Sequence, residues 1–117
     1  MKTAVLLLAT LTLGVCAADA AVAASGEHLT DVQYIQANRC RGLAAGLGMG
    51  DTATLDSLIK TEGRSRFDTI YERGQEAQVR ARREASSQDA KDRLNAELNG
   101  ACMAYLSGAK NAVATAR

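Results

Sequence analysis

Residues 59–85 read IKTEGRSRFDTIYERGQEAQVRARREA, and whether this stretch forms one helix or two decides how the chain folds. It has no proline and no alternation of β-branched with polar residues, so helix is the regular structure it favours. If the helix is continuous, Ile59, Gly63, Phe67, Ile70, Gly74, Ala77, Ala81 and Ala85 make one stripe, and its two glycines let another helix approach closely. A glycine inside a helix costs about 1 kcal/mol, however, and Gly63 stands where a C-cap would. The balance predicts a break or kink near Gly63 and a long helix from about Arg64 to Ala85.

Towards the C-terminus, Ser86-Ser87 ends that helix. Ser87 is expected to cap a last helix with the stripe Ala90, Leu94, Leu98, Ala101, Cys102, Tyr105, Ala109 and Val113. Towards the N-terminus, Asp51 is expected to cap a helix carrying Leu55, Leu58 and Ile59. Before it come Gly42, Gly46, Gly48 and Gly50. A phosphate-cradling loop would need a preceding strand and a Gly-Lys-Ser/Thr or G-x-G-x-x-G context, and neither is present. These glycines read instead as a helix C-cap and linker, with close helix packing at Gly42 and Gly46.

The first helix starts at Thr30, whose hydroxyl can cap the backbone while Gln33 reaches back as in a capping box. Val32, Ile35, Cys40, Leu43, Ala44 and Leu47 form its expected buried face, on which Gln36 and Arg39 intrude. The fold class read from these patterns is all-α: a small bundle of three to four helices. Signal cleavage would leave two cysteines, Cys40 and Cys102, which in an oxidising compartment read as one disulfide, and their places on the two stripes make it tie the first helix to the last. Closing a loop of that length removes roughly 4 kcal/mol of unfolded-chain entropy. The chain has only four aromatics in 117 residues, so such a staple supplies stability that its thin core lacks.

The N-terminus carries a different signal. Lys2 precedes an apolar run from Ala4 to Val15 broken only by Thr10, Thr12 and Gly14. The run is too short to span a bilayer, for which about 20 residues are needed, but suits a secretory h-region. Ala18-Asp19-Ala20 and Ala21-Val22-Ala23 both offer a signal-peptidase pattern. The expected organisation is a signal peptide over 1–23 and one helical domain over 24–117, with 24–29 a loose tail. Leu13-Gly14-Val15-Cys16 is a lipobox-like alternative, with Val a poor fit before the cysteine. Export makes the periplasm or the secreted space of a bacterium the expected compartment, consistent with paired cysteines.

Charge excludes some partners. With 14 basic and 13 acidic residues, the chain lacks the strong positive field of a nucleic-acid-binding or membrane-surface domain. Its basic residues nonetheless cluster: Arg66, Arg73 and Arg80 recur every seven positions, and Arg80, Arg82 and Arg83 are neighbours. Glu62 and Glu76 precede Arg66 and Arg80 by four, the favourable order for helical ion pairs. Arg73, Arg80, Arg82 and Arg83 are therefore candidates for gripping an acidic partner, because arginine pairs bidentately with carboxylates. Asp68, Glu72 and Glu76 stack at four-residue steps and are candidate pH-sensing groups.

No catalytic residue, metal ligand or cofactor is assigned. His28, the sole histidine, falls in the tail, and neither a Glu-x-x-His pair nor C-x-x-C-H occurs. In size and cysteine count the mature chain resembles the small acid-stress chaperones of the bacterial periplasm, although no motif carries that family's residues onto it. The functional expectation is a non-enzymatic protein that binds another envelope protein and has no stable membrane span. Self-association through the glycine-lined stripe is a further option. The alternative is a stress chaperone switched by carboxylate protonation at low pH.

Overall fold

The structure, a computed structural model, describes residues 28–108. The segment read as a signal peptide, its lipobox-like alternative at Cys16, tail residues 24–27, Ala109 and Val113 lie outside the described residues. Within them the chain is all-α, with no strand, and Cys40 is disulfide-bonded to Cys102 across a Cα–Cα distance of 5.5 Å. The helices are α1 (Asp31–Gly46), α2 (Ala53–Gly63), α3 (Asp68–Ala85), α4 (Lys91–Asn99) and the one-turn α5 (Met103–Leu106), with a 3-10 turn at Gln88–Ala90.

Local chemistry sets the ends of α1. The Gln33 N–H donates to Thr30 Oγ1 at 3.2 Å and the Thr30 N–H to Gln33 Oε1 at 2.9 Å, the reciprocal capping box. At the other end Gly48 adopts φ 77°, which lets the Met49 N–H return to the Ala44 carbonyl at 2.8 Å and the Gly48 N–H to that of Ala45. This is a Schellman ending, and it needs a residue without Cβ. Asp51 contributes to the start of α2 by accepting the Ala53 N–H at 3.3 Å, but the cap position itself is Thr52.

The break at Gly63 is present, and it is wider than expected. Residues 64–67 leave the helix, Phe67 is extended, and α3 begins at Asp68. Phe67 therefore drops off the buried stripe and is 83% exposed. The remainder of α3 buries Gly74, Ala81 and Ala85. A Cβ on Gly74 would meet Asn38 and Tyr34, one on Gly42 would meet Ala81 and the Gln78 carbonyl, and one on Gly46 would meet Ala85. These pairs advance together along both helices, so α1 and α3 run parallel, with small residues at each crossing point.

The buried face assigned to α1 needs correction. Val32 is 76% exposed, whereas Gln33, Tyr34, Ala37 and Asn38 are buried beside Cys40, Leu43 and Ala44. The cause is position: α1 touches α2, α3, α4 and α5, so it is enclosed on more than one side and no single stripe describes it. The last helix is also corrected. Ser87 heads the 3-10 turn without a side-chain cap bond, and Gly100 interrupts the helix, leaving Ala101 exposed. Leu94, Leu98, Cys102 and Tyr105 still pack into the core with Leu43, Leu55 and Leu58.

Candidate interaction surface around the long helix

Packing α3 against α1 through alanine and glycine turns its larger side chains outward. At 100° per residue, Tyr71, Gln75, Val79 and Arg82 follow one flank, Arg73 and Arg80 the other, and Glu72, Glu76 and Arg83 lie between. Arg73, Arg80, Arg82 and Arg83 are all exposed, and among the described residues none of them makes an ion pair. Asp68, Glu72 and Glu76 are exposed on the same helix. Of the chain's four aromatics, Tyr34 and Tyr105 are buried, while Phe67 is open to solvent and Tyr71 is 47% exposed. Val79, on the same flank of α3 as Tyr71, is 48% exposed.

The expected arginine repeat is broken at its first member. Arg66 precedes α3 and folds inward, where its Nη2 lies 3.1 Å from Glu62 Oε2 and its Nη1 2.6 Å from Asp31 Oδ1. Its Nη2 also donates to the Leu29 carbonyl, and its guanidinium stands 5.4 Å from the centre of the Tyr34 ring. Glu62, fully buried, accepts the Leu29 N–H at 3.0 Å, and His28 Nδ1 lies 3.5 Å away. Residues 28 and 29, the described end of the segment read as a loose tail, are thus fastened to the α2–α3 junction, and Leu29 is buried. The Tyr34 hydroxyl, buried beside the Asn38 amide but out of bonding geometry with it, titrates above its ordinary range because burial disfavours the phenolate.

A second charged node joins three helices. Arg39 on α1 reaches Glu97 on α4 through Nε at 2.7 Å and Nη2 at 3.0 Å, and Glu84 on α3 through Nη2 at 3.1 Å. The Glu97 hydrogen bonds hold the Arg39 guanidinium above its ordinary range, and the hydrogen bond from Arg39 holds the Glu84 carboxyl below its own. The signal for this node was in the sequence: Arg39 intruded on an otherwise apolar face.

Between α1, α2 and α3 lies a cleft of about 470 Å³. Arg41 lines it from α1, Asp56, Ile59, Lys60 and Gly63 from α2 with Arg64 just beyond, and Tyr71, Gln75 and Gln78 from α3. Arg41 is ion-paired with Asp56, whereas Lys60 and Arg64 are exposed. Gln75 also borders a shallow hollow of about 460 Å³ on the outer side of α3, shared with Glu76, Val79, Arg80 and Arg83. The two depressions share Gln75 and flank it as one candidate surface. Five cations and two carboxylates line it, while basic residues exceed acidic ones by only one in the whole chain.

This surface offers donors for acidic groups together with apolar contact area. Among the described residues, no group of three or more His, Cys, Asp and Glu residues could hold a metal ion, and no helix is long and apolar enough to cross a membrane. No protein-family model matches the chain, and comparison with curated proteins and with solved structures finds no match.

Proposed function

We propose that this is a non-enzymatic protein of the bacterial periplasm or secreted space that acts by binding another envelope protein through the outward side of α3. The observation that carries the reading is the exposure of the apolar residues Phe67, Tyr71 and Val79 together with Arg80, Arg82 and Arg83 along and just before α3. Aromatic and arginine side chains dominate the energetics of protein interfaces, and a core short of aromatics has no evident reason to leave two of them outside. The secretion-type N-terminus and the oxidised Cys40–Cys102 pair support the compartment. Affinity capture from the native envelope tests this, comparing wild type with Arg80→Glu/Arg82→Glu/Arg83→Glu. The expected result is one specific partner that the triple variant loses; equal recovery by both proteins contradicts the reading.

A second reading, an acid-switched chaperone, draws support from the Arg39 node. Protonation of Glu84 would remove its ion pair with Arg39 and weaken the hold of α3 on α1, whereas Asp68, Glu72 and Glu76 already lie in solvent. Suppression of client aggregation at pH 3 but not at pH 7 is expected on this reading. A protein that stays compact and inactive at pH 3 removes it.

A further inference from the structure

Resting on the interaction reading, the charge distribution identifies which part of a partner the surface receives. We propose that the α1–α2–α3 cleft binds an acidic, extended peptide segment of the partner protein, with carboxylates seated at Lys60 and Arg64 and an apolar side chain against Ile59 and Tyr71.

The first support is charge complementarity. Lys60 and Arg64 are four residues apart, so they stand on the same side at the end of α2, and both line the cleft while remaining exposed. Asp56, the one carboxylate in the cleft, is occupied by Arg41, which leaves the other two cations to face an incoming acid. The second support is shape and chemistry. A volume of about 470 Å³ lies within the range of small-ligand sites, and its lining sets Ile59 and Tyr71 among charged and amide side chains. The Gln75 and Gln78 amides can both donate to and accept from a peptide backbone. The third is proximity: Gln75 lines both the cleft and the hollow carrying Arg80 and Arg83, so a segment leaving the cleft past Gln75 meets further cations. A nucleic-acid strand fits less well, because Tyr71 is the one stacking ring in the cleft, and Asp56 and Glu76 would face phosphates.

The test is NMR shift mapping on the isotope-labelled, oxidised protein with a capped hexapeptide of alternating Glu and Leu. Its Gln/Leu analogue and a short thymidine strand serve as competing probes. Saturable shifts are expected at Lys60, Gly63, Arg64, Tyr71, Gln75 and Gln78, with affinity at least about tenfold weaker for the uncharged analogue and for Lys60→Glu/Arg64→Glu. Lys60→Gln/Arg64→Gln gives a milder loss in the same direction and stands in if charge reversal disturbs the spectrum. Shifts confined to other surfaces, equal affinity for the Gln/Leu peptide, or tighter binding of the thymidine strand overturns the assignment. An absence of cleft shifts while the captured partner remains sensitive to Arg80, Arg82 and Arg83 overturns the cleft assignment alone. Cleft binding of the acidic peptide with no partner lost on reversal of those arginines upholds the cleft and contradicts the reading of the arginine cluster.

Discussion

Gly42→Ala sets two physical effects against each other. Alanine is the better helix former by about 1 kcal/mol, so propensity alone makes the substitution stabilising in the middle of α1. The parallel packing of α3 reverses the sign. The added Cβ would collide with the Gln78 carbonyl oxygen and stand 2.9 Å from Ala81 Cβ. A backbone carbonyl within α3 cannot swing aside as a side-chain end can, so the two helices must separate. Separation also loosens the crossings at Asn38–Gly74 and Gly46–Ala85. Overpacking typically costs about 1–3 kcal/mol, and a backbone clash belongs at the upper end. Subtracting the propensity gain leaves a net destabilisation of about 2 kcal/mol.

For a domain of this size that corresponds to a fall in Tm of roughly 8–16 °C. Urea unfolding of the oxidised protein, followed by far-UV circular dichroism, should show a lower midpoint at unchanged slope. Adding Ala81→Gly should recover only part of the loss, because the Gln78 carbonyl remains. Gly50→Ala, with open space around its Cβ, should be neutral or slightly stabilising. A Gly42→Ala protein as stable as wild type would refute the close parallel packing.

Three further outcomes are expected. Replacing both Cys40 and Cys102 with alanine should lower the unfolding free energy by about 4 kcal/mol in urea titrations, whereas a loss below about 1 kcal/mol would show that the staple does little. Glu84 has a folded-state pKa below its ordinary 4.5, so its contribution is present above that value and is lost as pH falls through the lower folded value. Glu84→Gln should therefore cost about 0.2–1 kcal/mol at pH 7 and flatten the decline of the urea midpoint between about pH 5 and pH 3; an unaltered profile contradicts this assignment. Glu62→Gln should destabilise by roughly 2–4 kcal/mol, because it leaves the enclosed Arg66 guanidinium short of its buried counter-charge, and should speed hydrogen exchange at the Leu29 amide. An unchanged Leu29 exchange rate would mean that Glu62 does not fasten the N-terminal segment.

Features set by neighbours in sequence were the readable ones. The Thr30–Gln33 box, the glycine ending of α1 and the interruption after Gly63 each depend on a few consecutive residues. The Cys40–Cys102 bridge was also readable, because these are the two cysteines left beyond the export-type segment, and each occupied a buried phase of its own helix. Val32 and Phe67 were misplaced for different reasons. Val32 belongs to a central helix enclosed by several partners, which dilutes amphipathic periodicity, while Phe67 depends on where a helix restarts after a break. The Glu62–Arg66 spacing suggested an ordinary helical pair, yet the carboxylate's other partner, Leu29, is 33 residues distant in sequence. Periodicity cannot report such a contact. The cleft was invisible for the same reason, since three helices contribute its lining.

A protein that works through the surface formed by the cleft and the outer side of α3 must meet its partner there. Site-specific photo-crosslinking in the native envelope tests it most directly, with a benzophenone amino acid in place of Tyr71 and, separately, of the exposed Asn95 on α4. A discrete adduct with one partner protein is expected from position 71 and none from position 95. No adduct at position 71, or the same adduct from both positions, would contradict it.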